Sequence, residues 1–238
     1  MRQNPANTIS RRRAVGFVAV TAAGGAFMTA SALLRSRPAA AANLITGANV
    51  CAIMPKTTEG PFYFDPDLDR TDITEGRPGM PLRLKLQVVD SACNPIDGAR
   101  VDIWHCDAEG AYSGYPGQPG GLDTSGETFL RGTRFAGQDG IVEFATIYPG
   151  WYPGRTPHIH FKAFPDRTRV LTGQMFFPDE LSLEIYRTIP PYSDRDPDRM
   201  TPTNRDGIAR RAGDTALAEV ARAGESLEAA LVIAAAED

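Results

Sequence analysis

The run Leu82-Arg83-Leu84-Lys85-Leu86-Gln87-Val88 decides the fold class. Apolar side chains at 82, 84, 86 and 88 alternate with polar ones at 83, 85 and 87, and a strand gathers such a set on one buried face. Downstream, Asn94, Pro95, Asp97 and Gly98 mark a turn-rich connection across residues 90–98. The alternation then resumes over residues 99–106, and the two strands are expected to be antiparallel neighbours. Further strands are predicted at residues 128–136, 141–147, 158–163 and 168–177. Gly137, Gln138, Asp139 and Gly140 would form a hairpin turn between the first two of these.

The segments between the strands read differently. Residues 43–80 are irregular: in Thr57-Thr58-Glu59-Gly60-Pro61-Phe62-Tyr63 the Gly and Pro prevent regular pairing while the aromatics need packing, so this stretch should wrap over a core. Residues 111–126 are loop-like, and residues 190–204, rich in Pro, Asp, Ser and Thr, read as a long surface excursion. Over residues 215–236 two readings stand. Ala and Glu content favours a helix by propensity, whereas Leu227, Ala229, Leu231 and Ile233 fit a final strand. Many short strands without βαβ alternation predict an all-β fold, a β-sandwich with long irregular loops.

Composition bounds the function. At 238 residues with 42% hydrophobic content, one domain is the simpler organisation. A net charge of −4 with a sequence pI near 5.5 gives no electrostatic footprint for phosphate binding, which leans on clustered Lys and Arg, so nucleic acid is not an expected partner. The 23 glycines and 19 prolines are spread through the middle of the chain, as tight turns between strands require.

The N-terminal 42 residues differ in kind. Ser10, Arg11, Arg12 and Arg13 precede an uncharged stretch, residues 14–34, rich in Ala, Val, Gly and Thr, and small residues follow from Ala39 to Ala42. This is the outline of a twin-arginine export signal over residues 1–42. An uncleaved membrane anchor is the competing reading, since the stretch is about long enough to span a bilayer. The expected location is outside the cytoplasm, periplasmic or extracellular, with membrane contact only through this segment. The twin-arginine route resembles one used by proteins that load a cofactor before export. In an oxidising compartment Cys51, Cys93 and Cys106 allow one disulfide and one remaining thiol, with the pairing open. Their spacing matches no zinc signature.

Two of the three histidines form His158-Ile159-His160. On a strand, residues two apart share a face, so both imidazoles would project together as half of a metal site, although two satisfied polar residues would look the same. Tyr148, Trp151 and Tyr152 stand just before them among Pro149, Gly150, Pro153, Gly154 and Arg155, a rigid turn that would hold a tyrosine near the histidines. Tyr112 follows the strand that ends in Trp104, His105 and Cys106.

Three runs together carry a family resemblance: Trp104-His105-Cys106-Asp107-Ala108-Glu109-Gly110-Ala111-Tyr112, Tyr148-Pro149-Gly150-Trp151-Tyr152-Pro153-Gly154-Arg155-Thr156-Pro157-His158-Ile159-His160-Phe161, and Thr58-Glu59-Gly60-Pro61-Phe62-Tyr63. They resemble the intradiol ring-cleavage dioxygenases, over most of the chain after Cys51. Residues 43–238 would then form an intradiol dioxygenase-like β-sandwich domain. The resemblance implies a high-spin iron(III) cofactor, Fe(3+), held by two tyrosinates, two histidines and a hydroxide. By motif, Tyr112, Tyr152, His158 and His160 fall on the four protein ligand positions. Hard phenolate oxygens favour the ferric state, and neutral imidazoles complete the shell without adding charge.

The resemblance also implies partners and roles. The substrates would be a catechol and O2, and the product a cis,cis-muconate. Tyr152 matches the tyrosinate that leaves the metal when substrate enters and, with the hydroxide, takes the two catechol protons. Tyr112 would stay bound. Arg155 matches an arginine that steadies negative charge on the ring, and Gln174 a polar residue near the same ring. A surface ion pair is the bland reading of Arg155. His105 and Trp104 read as structural, Tyr115, Tyr148 and Trp151 as packing, and Tyr63 as either packing or a wall of the substrate mouth. Gly154 stands where a relative that binds carboxylated catechol has a bulky aromatic, so the substrate need not be the same. The long helical dimerisation segment of some relatives is not seen, and a homo-oligomer remains compatible with the sequence.

Two other readings are kept. A secreted transthyretin-like β-sandwich binding module without catalysis would explain the paired strands and the Asn94-Pro95 turn, but not four convergent donors. A zinc hydrolase built on the two histidines lacks a carboxylate or third histidine at a suitable spacing.

Overall fold

The computed structural model describes Ile45, residues 51–65 and residues 67–235. Within them the strands are β1 (Pro81–Val89), β2 (Arg100–Trp104), β3 (Arg131–Phe135), β4 (Ile141–Ile147), β5 (His158–Phe164), β6 (Leu171–Phe176), β7 (Glu219–Ala223) and β8 (Ser226–Ala234). Two helices, α1 (Asp179–Thr188) and α2 (Gly207–Ala212), lie between β6 and β7, joined by short 3-10 turns. One sheet has the order β4-β1-β8-β7 and the other β3-β2-β5-β6.

The alternation in β1 does what its period requires. Leu82, Leu84, Leu86 and Val88 are buried in a hydrophobic cluster with Phe144 of β4 and Leu227, Ala229 and Leu231 of β8. Val101 and Ile103 of β2 and Ile159 and Phe161 of β5 join the same cluster. The two sheets therefore share a core. The intervening residues of the second sheet, among them Asp102, Trp104, His158 and His160, fall on its other face. That face carries the site.

Several sequence expectations are corrected. The all-β fold is not found: among the described residues the architecture is mixed α+β, two four-stranded sheets with two helices. In α1, Asp179 and Glu180 sit in the first turn, where the helix dipole favours negative charge, and Ser182, Ile185 and Tyr186 are buried along one side. Both helices are short, and a run of six to ten residues between turns carries little periodicity to read. Strands β1 and β2 are not neighbours, since β1 pairs with β4 and β8 while β2 pairs with β3 and β5. Residues 137–140 likewise close no hairpin, because β3 and β4 belong to different sheets. Alternation tells which face of a strand is buried, not which strand lies beside it.

Residues 190–204 are more than a surface excursion. Tyr192 and Met200 are buried, and the Tyr192 hydroxyl donates to the Tyr148 carbonyl at 2.5 Å and accepts from the Met80 amide at 3.1 Å. At the C-terminal end of the described residues the strand reading is the observed one, as β7 and β8. β8 runs parallel to β1 and antiparallel to β7. A disulfide joins Cys51 to Cys93, and Cys106 is a buried free thiol. The export segment expected over residues 1–42 lies outside the described residues. Among the described residues no helix is long and apolar enough to cross a membrane.

Candidate active site

Strand β5 sets the first two donors. His158 and His160 are both buried on the face opposite Ile159 and Phe161, and their Nε2 atoms stand 3.1 Å apart. The Thr156 carbonyl, an acceptor only, takes the proton of His158 Nδ1 at 2.6 Å, which leaves His158 Nε2 as a bare lone pair. His160 Nδ1 is buried without a partner. Either tautomer of His160 then leaves something unmet. With its proton on Nε2, a buried Nδ1 lone pair is idle; with the proton on Nδ1, that N–H is unpaired and two Nε2 lone pairs face each other.

The two tyrosines arrive from different loops. The Tyr152 hydroxyl lies 3.0 Å from His158 Nε2 and 3.3 Å from the Tyr112 hydroxyl. Asp107 builds the loop before Tyr112 by accepting from the Glu109 and Ala111 amides, and Gln118 Oε1 accepts from the Tyr112 amide at 2.8 Å. Gly150 lets the second loop approach: a Cβ there would lie 2.6 Å from the Ala108 carbonyl oxygen and closer still to that of Asp107.

Aromatic and charged neighbours fix these rings. Trp104 stacks on His160 and Phe62 on Tyr112, with centroids 4.9 Å and 4.6 Å apart. Arg131, itself buried, donates to Ser113 Oγ, the Ser113 carbonyl and the Phe62 carbonyl, and so ties the Tyr112 loop to residues 58–64. Burial pushes its guanidinium down to about 10, so it is charged at neutral pH. Residues 58–64 are further held by an ion pair of Glu59 with Lys162 and by the Tyr63 hydroxyl donating to Asp102 at 3.0 Å.

Burial dominates the electrostatics. It pushes the Tyr152 phenol up to about 12 and that of Tyr112 well above the usual value. It pushes His158 down to about 3 and His160 well below its usual value. All four are neutral near pH 7. Among the described residues no group of three or more His, Cys, Asp or Glu is placed for a metal. A metal here has to draw on the phenols, and two hard oxygens with two imidazoles suit a ferric ion. A cation beside the two Nε2 atoms would take both lone pairs and relieve their repulsion, so the donor set fits.

Arg155 borders this cluster. Its Nε donates to Asp206 Oδ2 at 2.8 Å and its Nη2 to Gln174 Oε1, while Gln174 Nε2 donates to the Thr58 carbonyl at 2.8 Å. All six residues singled out from the sequence thus meet on one face. His105 stays apart, held at Nε2 by Thr146 Oγ1 and at Nδ1 by the Cys106 carbonyl. Tyr148 bonds to Ser182, Tyr115 to the Tyr63 carbonyl, and Trp151 lies under Arg195. The sequence reading passed over Asp206 and Arg131. An Asp directly before Gly207-Ile208-Ala209 is a helix N-cap signal, which could have drawn attention to the first.

A family model described as "Dioxygenase" matches residues 58–185, more than half of the chain. The solved intradiol ring-cleavage dioxygenase from Tetranychus urticae is 35% identical with a TM-score of 0.70, over 77% of this chain and 94% of that one. The chain belongs to the intradiol ring-cleavage dioxygenases. The chain is also similar to the dioxygenase domain of a dioxygenase carbohydrate-binding protein fusion from Streptomyces sp. SirexAA-E, at 31% identity and a TM-score of 0.56, over 77% of this chain and 97% of that one. Catechol 1,2-dioxygenase 1 of Acinetobacter lwoffii is 29% identical over 143 residues, which cover 50% of this chain and 45% of that enzyme. This intradiol-family chain spans about half the length, or less, of the first curated relatives it matches. Asp206 lies beyond the segment that the family model matches.

Proposed function

We propose that this protein is a non-haem iron(III) dioxygenase that opens a catechol-type ring between its two hydroxylated carbons, consuming O2 and releasing a cis,cis-muconate-type product. The convergence of Tyr112, Tyr152, His158 and His160, linked by donor separations of 3.0 to 3.3 Å, carries the reading. These four would hold the metal. When bound, ferric iron supplies Lewis acidity that draws electron density from a coordinated catecholate and primes its ring for dioxygen.

The chain's own residues divide the remaining work. Tyr112 is fully buried and braced by Phe62, whereas Tyr152 is less buried and sits on a Pro- and Gly-bounded turn. That asymmetry supports Tyr152 as the residue whose phenolate, ionised when it holds the metal, would accept a substrate proton, and Tyr112 as the fixed ligand. Arg155, held at two nitrogens, presents a permanent positive charge to a ring gaining negative charge. Gln174 braces Arg155 and ties it to Thr58. Residues 58–64 wall the site and keep bulk water from the buried imidazoles.

The Cys51–Cys93 disulfide supports residence in an oxidising compartment outside the cytoplasm, since such bonds persist there. A noncatalytic binding module leaves the four convergent donors without explanation. The test is oxygen uptake by iron-loaded protein across catechol, hydroxyquinol, chlorinated catechols and lignin-derived catechols. The expected result is a burgundy protein that consumes oxygen and yields a ring-opened diacid with at least one of them. Colourless protein with stoichiometric iron and no uptake would overturn the proposal.

A further inference from the structure

We propose that Asp206 is a positioning residue for the ring-cleavage reaction: seated at the N-terminus of α2, it fixes the plane in which Arg155 meets the substrate. The proposal rests on the function argued above. It is carried by four hydrogen bonds to one carboxylate. Oδ1 accepts from the Ile208 amide at 2.7 Å and the Ala209 amide at 3.2 Å. Oδ2 accepts from Arg155 Nε at 2.8 Å and the Thr156 amide at 3.0 Å.

A carboxylate held on both oxygens cannot turn, and this one is wholly shielded from solvent: the Asp206 side chain is 0% exposed, against 17% for Arg155. The first turn of α2 therefore sets its orientation. Arginine has a long flexible stem, and one hydrogen bond at Nη2 to Gln174 would leave its guanidinium free to pivot. The second bond, at Nε on another edge of the fork, removes that pivot. Among the described residues Arg155 Nη1 has no partner, so one nitrogen of the fixed plane is left for a ligand. The same Oδ2 grips the amide of Thr156, two residues before His158, so one atom registers both the arginine and the entry to β5. Thr156 is tied in turn to Thr203, which bonds to Asp179 of α1. Of the helical segment, Asp206 is the residue that hydrogen-bonds Arg155 itself.

Asp206→Asn separates capping from charge, because asparagine caps helices as well as aspartate does. The variants are D206N, D206A, R155A and D206N/R155A, each loaded with iron. With the best catechol substrate, D206N is expected to lower kcat about tenfold or more while KM stays within about threefold of wild type. In the R155A background the same change should cost less than about twofold, since the group it positions is gone. Anaerobic titration with 4-nitrocatechol reads the site without turnover: the absorption maximum of the bound chromophore in D206N should move to where R155A places it. D206A should lose more thermal stability than D206N but no more of kcat. Wild-type kcat in D206N, an unmoved chromophore band, or a full additional loss in the R155A background each overturns the proposal. If the wild-type protein consumes no oxygen with any catechol, the function reading fails, and the chromophore still judges the link between Asp206 and Arg155.

Discussion

Trp104 lies flat against His160, with ring centroids 4.9 Å apart and planes 11° from parallel. Because the other nitrogen of His160 makes no hydrogen bond, this stacking, together with the approach of Gly60 to the imidazole edge, orients the ring. Trp104→Ala should cost about 3–5 kcal/mol of stability in urea unfolding and leave the purified protein short of iron. Trp104→Phe should retain most of both. Full iron occupancy in the alanine variant would show that His160 needs no platform.

The two phenols should fail differently. Tyr152→Phe is expected to keep its iron, shift its visible absorption and lose about 10²-fold or more in kcat, the usual scale for a lost proton acceptor. Tyr112→Phe should instead lose iron on dialysis against a chelator. Equal iron loss in both variants would remove the distinction between a mobile and a fixed ligand.

Gly150 is where the two tyrosine loops touch. A Cβ there must push the Asp107–Ala108 backbone away, so Gly150→Ala should cost about 1–3 kcal/mol. It should also lower iron affinity by spreading Tyr152 from Tyr112. Measured by unfolding and by competition with a chelator, wild-type values for both would refute this account of the convergence.

Acid should act through His105. Burial pushes this imidazole down to about 4, whereas in the unfolded chain it titrates near its ordinary value. Between those two values the unfolded state binds the extra proton. The stability in question is therefore full above about pH 6.5 and declines as pH falls toward 4, by up to about 3 kcal/mol. His158 and His160 contribute alike in wild type and variant. Comparing urea midpoints at pH 7.5 and 4.5, His105→Gln should show the smaller drop; an equal drop would assign the acid sensitivity elsewhere.

The disulfide should matter to stability more than to catalysis. It joins residues separated by 42 positions, and opening such a loop costs about 2–4 kcal/mol. The strap beyond it remains attached, through the Met54 amide on the Ala234 carbonyl and the Thr57 amide on the Thr172 carbonyl. The Cys51→Ser, Cys93→Ser double variant should therefore unfold at lower urea with kcat within about twofold of wild type. A collapse of kcat in fully folded protein would mean the strap needs the cross-link to shape the site.

Some of this was legible in the residues and some was not. Leu82 to Val88 and His158 to Phe161 announce strands because a period of two survives any choice of partner. The partners themselves depend on packing between distant segments, so residues 82–88 gave no sign that β8 would lie beside them, and the pairing of β1 with β2 was misjudged. The six residues α2 offers are too few to reveal a helix by periodicity, and with α2 went Asp206. His158 and His160 share a face by geometry alone. Tyr112 and Tyr152 needed the family resemblance, because what brings them together is Gly150 against Ala108, a contact between loops far apart in the chain.

Strand β8 fills the slot between β1 and β7, so one entire flank of β1 stays open until residues 226–234 have left the ribosome. That flank belongs to the strand whose leucines form the centre of the core. A nascent chain in which residues 226–234 are still missing presents an unpaired edge and uncovered leucines together, the combination that chaperones bind and that aggregation exploits. Closure of the first sheet therefore waits on residues 226–234, and with it the burial of the β1 leucines.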